Sequence, residues 1–411
     1  MAVQHGYGKI AGTDALVFAY DTGDAVNSYK GEPTENLAPA GGRTGTSALP
    51  RQSYHVLPWI YSLETNVNGR ADVIRMYIDP PGDTSQPYTD FGFQASKPGG
   101  SVVGDVYTIS FDYYVAKGNS VPSFGSVYAD GYKSPTSTNV ATTLSETTKD
   151  LGNGWYRRTR TVELTAAGNT FWRGGISSNN LETEAYIDNI QLEYKGHETP
   201  FVDGTRSATE GLLDLTGNEI IDLTNVSFDN NAEIAFDGTN DFIDLGSDVT
   251  IKTSGGWTVE SVIYYDSVAG GYNNVTSPAN FIGSDSITYN SWYWSVLSNK
   301  LALWNKSPGV WKYGSTTLQP DTWYHAVLVS YDSGTSYQMY LNGVAEGGDH
   351  TTYSWNSDYS GLKVRYIGRG NQNNTRLVNG NISITKLYNK ALTAAEVKSN
   401  FNNYKTRFNI A

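Results

Sequence analysis

The chain has 411 residues, with 43 glycines, 30 tyrosines, 10 tryptophans, only 17% charged residues and a formal net charge of -12. That is enough for more than one core, since single cores seldom grow past about 250 residues, and the profile favours many short strands joined by turns. No apolar run reaches about 18 residues, so no membrane span is expected. The absence of cysteine excludes disulfides and thiolate chemistry, and the 29 Lys and Arg form no basic stripe, which argues against a nucleic-acid partner.

The N-terminal stretch lacks a basic region followed by an apolar core, so it does not read as a secretory signal, and the mature chain is expected to start near Met1. ALVFAY, residues 15–20, is apolar on both faces and reads as a buried strand that must pair with something distant. The Pro/Gly-rich residues 31–51 follow as a loop or linker. From Gln52 to Tyr194 the pattern is alternation: Tyr107, Ile109, Phe111, Tyr113 and Val115 are apolar, while Thr108, Ser110 and Asp112 face the other way. GNGWYRRTRTVELT, residues 152–165, reads as a turn and a strand, and AYIDNIQLEY, residues 185–194, as another strand. Beyond residue 208, TWYHAVLVSYD and YQMYLNGVAEG form a strand pair containing the hairpin dipeptide Asn342-Gly343. Near the C-terminus Thr393 and Glu396 form a capping box, with Val397, Phe401 and Tyr404 at helical spacing behind it.

Three resemblances build on these residues. GTDALVFAYDTGDAVNSYKG, residues 12–31, and residues 211–246 with their DL-x-GN and FDG-x-x-D segments look like two halves of the entry region of one laminin G-like (concanavalin A-like) sandwich, and the strand ending in YNKAL before the C-terminal helix resembles that family's end. The GWYR strand followed by IDN-IQLE resembles carbohydrate-binding jelly rolls of the family 4 and 9 type, although the family's GFE segment after the opening TENLAP is missing. The end of this region, QLE followed by TPFVDGTRS, looks like the end of jelly rolls in bacteriophage tail and capsid-associated proteins. The implied fold is all-β: a concanavalin A-like (laminin G-like) sandwich plus an inserted β jelly roll, with one short C-terminal helix. The implied domains are an N-terminal segment, residues 1–35, giving a strand to the C-terminal sandwich or serving as an attachment arm; a jelly roll, residues 36–205; and the sandwich, residues 206–411.

Candidates for chemistry are few. No E-x-D-x-E run of the kind used by glycosidases on this sandwich occurs, the pair Glu182 and Glu184 reads as solvated, and no serine lies in a nucleophile elbow. His325 sits on the face of Trp323, Val327 and Val329 and reads as a core residue, and the other four histidines have no partners at a recognised spacing. No catalytic residue is expected, and the chain reads as a non-enzyme. By alternation Asp188 shares a face with Tyr186, Ile190, Leu192 and Tyr194, where a free carboxylate would be costly; the jelly-roll resemblance implies a structural calcium ligand there, and a hydrogen-bonded strand-end Asp is the alternative. Asp237, Asn240, Asp241 and Asp244 read as turn formers or as an ion site. Trp292 and Trp294 read as sandwich core, whereas Trp311, Tyr313, Tyr353 and Trp355 lie in polar, Gly-flanked segments suited to glycan contact, a subunit interface or plain packing.

The phage resemblance implies a virion location as a fibre, tail or capsid-decorating protein. Expected partners are other virion proteins, a homo-oligomer with a trimer favoured, and a host surface glycan. A purely structural cement protein, a secreted bacterial lectin and a polysaccharide depolymerase are the alternatives.

Overall fold

The computed structural model describes residues 13–40, 60–78, 88–118, 120–129, 138–177, 182–251, 255–266, 279–283, 292–305, 310–331, 336–347, 362–370 and 377–410. Contacts divide the chain into two compact units. One is discontinuous, Met1–Pro33 with Ser207–Ala411, and the other is Thr34–Arg206.

The Thr34–Arg206 unit is a sandwich of two antiparallel sheets. A six-stranded sheet runs in the order Ile60–Val67, Arg70–Ile78, Thr183–Glu193, Val106–Lys117, Trp155–Leu164, Ala141–Gly152. Tyr88–Gln94, Thr170–Ser177, Ser123–Phe124 and Tyr128–Ala129 form the second sheet. Tyr107, Ile109, Phe111 and Tyr113 point inward and are buried with Ile74, Met76 and Trp172, because alternate strand residues share one face of the pleat. Asn189 breaks the alternation: it takes a left-handed φ of 52°, and the pairing with Val106–Lys117 shifts between Asp188 and Gln191. This bulge corrects the face assignment above. Asp188 is carried outward with Tyr186, while Ile190 and Leu192 return to the core at 0% exposure. The unit closes on itself where Thr205–Arg206 pairs with Thr34–Glu35.

In the other unit an eight-stranded sheet has Asn379–Tyr388 next to Trp257–Tyr265, followed by Thr322–Ser330 and Tyr337–Leu341. Leu16–Asp21 pairs antiparallel with Asn379–Tyr388 on its other side, from Leu16 opposite Tyr388 to Asp21 opposite Ile384. The facing sheet runs Ile243–Ile251, Leu362–Ile367, Ala279–Gly283, Trp292–Leu297, Lys300–Asn305, Val310–Tyr313. Phe18, Tyr20, Val259, Trp292, Trp294 and Leu328 meet in the core between the two sheets. The Asn342-Gly343 turn has φ of 51° and 71°, the double positive φ that two-residue hairpins use.

The two sheets differ in what covers their outer faces. Helix Ala394–Tyr404 lies on the outside of the eight-stranded sheet, with Val397 against Val327, Val329 and Tyr388, and with Phe401 and Tyr404 against Val262 and Ile384. Strand Trp257–Tyr265 is therefore buried on both faces. Thr393 caps the helix as its sequence indicates: its side chain accepts from Glu396 N, and the Glu396 carboxylate accepts from Thr393 N at 2.8 Å. Thr393→Ala is expected to cost ~1 kcal/mol, read as a lower urea midpoint at unchanged slope.

Candidate functional site

On the six-stranded sheet of the discontinuous unit, Trp292, Trp294 and Val296 point into the core, so Tyr293 and Ser295 point to the opposite face. Register carries that face across the sheet, because directly opposed residues lie on the same side. Tyr293 is opposite Gly283 and Trp304, and Trp304 is opposite Trp311. In the adjacent row Asn280, Ser295, Ala302 and Tyr313 are opposed in turn. The Trp304 and Trp311 rings sit 5.3 Å apart at 42° and are half-buried, as is Tyr313, whose hydroxyl pKa is pushed up by burial. Deeper in the face, the Asn280 side chain accepts from Ser295 Oγ, and its Nδ2 finds no hydrogen-bond partner among the described residues although Asn280 is 0% exposed. A Cβ at Gly370 would lie 2.1 Å from that nitrogen, and one at Gly283 would lie 2.2 Å from Gly370 O, so this close approach needs glycine at both positions.

Of the four aromatic residues picked out in the sequence, Trp311 and Tyr313 thus lie on one face, while Tyr353 and Trp355 lie outside the described residues. Trp304 joins Trp311 by direct pairing. Tyr293 was hidden among the flanking core tryptophans, and only its odd position between Trp292 and Trp294 marks it as outward. Among the described residues of these rows the one carboxylate is Asp244, placed outward between Ile243 and Leu245 and bound by Arg365, with Nε 2.5 Å from Oδ1. A single neutralised carboxylate cannot supply an acid and a base. The half-buried part of the face offers the Trp304 and Trp311 rings and the Tyr313 phenol, which suit a ligand with apolar faces and peripheral hydroxyls.

Residues 237–398 match the family described as the concanavalin A-like lectin/glucanases superfamily. The discontinuous unit is a concanavalin A-like sandwich. Solved structures similar to the chain include the binding domain of Paraclostridial Mosquitocidal Protein 1, 14% identical over 47% of this chain and 49% of that chain, with a TM-score of 0.37. Another is domain 4 of AbnA, a GH43 extracellular arabinanase from Geobacillus stearothermophilus in complex with arabinotriose, 17% identical over 47% of this chain and 92% of that one, with a TM-score of 0.35. A third is the Ruminococcus gnavus IT-sialidase CBM40 bound to alpha2,3 sialyllactose, 11% identical over 36% and 83%, with a TM-score of 0.29. The match to the first of these spans about half of its length. No curated protein matches the chain.

Several other titratable groups among the described residues of the concanavalin A-like sandwich are engaged in structure. His325 is buried at 0% as its neighbours indicated, with Nε2 2.8 Å from Glu260 Oε1, and Glu260 Oε2 accepts from Tyr388 Oη at 2.6 Å and from Asn400 Nδ2 at 3.0 Å. This cluster lies under the C-terminal helix, away from solvent. Asp237 Oδ1 accepts from Thr239 N and Asn240 N, and Asp241 accepts from Asp237 N and Ser227 Oγ, the bonding of a turn. No group of three or more His, Asp or Glu that could hold a metal occurs among the described residues.

On the jelly roll, Glu182 and Glu184 face outward beside Tyr77 and Tyr186. Hydrogen bonding from Arg75 holds the Glu184 carboxyl below the usual glutamate value, and Lys117 does the same for Glu182, so neither is poised to donate a proton. Asp188 stands directly opposite Asp112, and Arg70 Nη1 lies between them, 2.8 Å from Asp188 Oδ2 and 2.7 Å from Asp112 Oδ2. Asp112 Oδ1 accepts from Arg157 Nη1 at 2.9 Å, and Oδ2 accepts from Asn189 Nδ2 at 2.8 Å. Calcium takes six to eight oxygens. Here the carboxylates meet two guanidiniums and an amide that presents its nitrogen, so this donor set does not fit a calcium ion.

Proposed function

We propose that the protein binds a glycan on the outer face of the concanavalin A-like sheet and acts as a non-enzymatic adhesin. The observation that carries this is the cross-strand pair Trp304 and Trp311, half-buried with Tyr313 beside it on a sheet face that no helix covers among the described residues. The Trp304 and Trp311 rings would stack on sugar C–H faces, and the Tyr313 hydroxyl would help fix orientation. The superfamily includes both lectins and glucanases by its description; the lack of a paired carboxylate on the described face favours the lectin side.

Trp311→Ala is expected to lower affinity for the bound glycan by about 2 kcal/mol, on the order of 30-fold, as truncating a central aromatic anchor does. A glycan array identifies the ligand, and titration of wild type and variant measures the loss, with near-UV circular dichroism confirming that the variant is folded. Unchanged affinity in both Trp311→Ala and Trp304→Ala would remove this face from consideration.

A virion surface is the setting we propose for this activity, in a homotrimer with other virion proteins. It is favoured by the resemblance of residues 191–207 to phage jelly-roll ends. Several residues of that segment have structural work: Gln191 Oε1 accepts from Val202 N at 2.8 Å, and Thr199 Oγ1 donates to Glu193 Oε1 at 2.6 Å. A tail or capsid module among the neighbouring genes and a trimeric mass in solution are the expected findings. A polysaccharide-use gene cluster would point to a bacterial lectin.

A further inference from the structure

We propose that Arg70 is the resident cation of the jelly roll, its guanidinium taking the place between Asp112 and Asp188 where the jelly-roll resemblance implies a metal ion. Two like charges directly opposite on neighbouring strands repel. Asp112 and Asp188 are such a pair, and both are buried residues. A cation placed between them relieves that repulsion.

The local geometry points to the arginine. A single nitrogen, Nη1, bridges both carboxylates, which is the position a monatomic ion would take. The guanidinium carbon lies 4.2 Å from the Trp155 ring centroid, so the plane of charge is also held over an indole face. The backbone that delivers Arg70 is fixed in turn. It follows the turn of Asn68 and Gly69, with φ of 46° and 88°, where Asn68 O accepts from Trp155 Nε1 at 3.2 Å and Asn68 Nδ2 donates to Asn153 O. Asn153 and Gly154, with φ of 52° and 78°, make the facing turn that presents Trp155. Two turns and one indole thus place the guanidinium before any ligand arrives. Arg157 completes the arrangement from below, bonded to Asp112, Ser110 and Glu198. Removing the Arg70 side chain would leave Asp188 facing Asp112 with Arg157 as the cation still bonded to that pair.

Terbium reports the seat directly, because this calcium-like ion luminesces when excited through a nearby indole, and Trp155 supplies one. The decisive signal is terbium luminescence that calcium competes away and that Asp188→Asn abolishes. It is expected to be absent in the wild-type protein, whose thermal midpoint should be unchanged by EGTA or calcium, whereas Arg70→Ala should lower that midpoint and Asp188→Asn added to it should recover part of the loss. Such a signal in the wild type would mean that a metal holds the seat, and an unchanged midpoint in Arg70→Ala, or no recovery when Asp188→Asn is added to it, would mean that the two carboxylates need no cation there; either overturns the proposal. Should Arg70→Ala fail to fold, the wild-type measurement alone decides, by the same criterion.

Discussion

Replacing Glu260 by glutamine is expected to destabilise the concanavalin A-like sandwich by ~3–5 kcal/mol, the usual cost of breaking a buried charged network by removing one member. The carboxylate is 0% exposed and is contacted by His325, Tyr388 and Asn400, which come from two strands and the C-terminal helix. Lys386 is buried in the same region at 1% exposure, bonded to Tyr404 Oη, and its charge depends on Glu260 for electrostatic compensation. Glutamine keeps the volume but removes the charge, and its amide nitrogen faces groups that already donate. Denaturant titration measures the loss. A change below about 1 kcal/mol, the worth of one ordinary hydrogen bond, would show the network to be idle. Adding Lys386→Met should recover part of the loss, since the uncompensated ammonium is then gone, and the double-mutant cycle reads the coupling.

The same residue sets a pH signature. Desolvation pushes the Glu260 carboxyl up, but the His325 hydrogen bond, the charges of His325 and Lys386 and the Tyr388 hydrogen bond outweigh it and hold the group below its ordinary 4.5. A carboxyl with a lowered folded value stabilises fully above its unfolded value and loses that contribution as pH falls through the folded one. The stability gap between wild type and Glu260→Gln should therefore be widest above pH 4.5 and narrow below it.

What was legible in the sequence was what adjacent residues encode. Alternation placed Tyr107 through Tyr113, the Asn-Gly pair placed a hairpin turn, and Thr393 with Glu396 placed the start of the helix, because each depends on two to five neighbouring positions. The all-β class followed from composition and from these signals. Where one residue changes the register, the same logic failed. Asn189 tolerates positive φ, so a single bulge turned Asp188 away from Ile190 and Leu192, and nothing in an alternating count announces that. The candidate face was legible in part: Trp311 and Tyr313 stood out by their polar surroundings, but their partnership with Trp304 and Tyr293 is made by pairing between strands. The Glu260 network was invisible for the same reason, since its members lie 65 to 140 positions from Glu260 and meet only when the helix packs on the sheet.

Residues 207–411 produced alone are expected not to fold, whereas residues 13–33 joined to 207–411 by a short Gly/Ser linker are expected to give a cooperative, native-like sandwich. Leu16–Asp21 is the reason. Phe18, Ala19 and Tyr20 are each 0% exposed, and the Phe18 and Tyr20 rings sit in the core with Leu212, Ile382 and Leu387, so losing either ring costs ~3–5 kcal/mol by the usual large-to-small penalty. Backbone and side-chain bonds add to the aromatic burial. Ala19 N donates to Asp214 Oδ1 at 2.9 Å, Leu215 N to Ala19 O at 2.7 Å, and Tyr20 Oη to Ile382 O at 2.9 Å. Without the strand, Asn379–Tyr388 would also show an unpaired apolar edge, an invitation to aggregate. A short linker suffices because the two crossing points are already adjacent: Lys30 N and Gly31 N both donate to Gly211 O, and Tyr29 bridges to Leu212. Near-UV circular dichroism and the cooperativity of thermal unfolding distinguish the two proteins. A native spectrum from 207–411 alone would show that the first strand is an accessory, and Tyr20→Ala in the full chain would then shift the midpoint little. If instead the strand is integral, that substitution should lower the midpoint by roughly 6–20 °C, taking ~2–4 °C per kcal/mol for a unit of about this size.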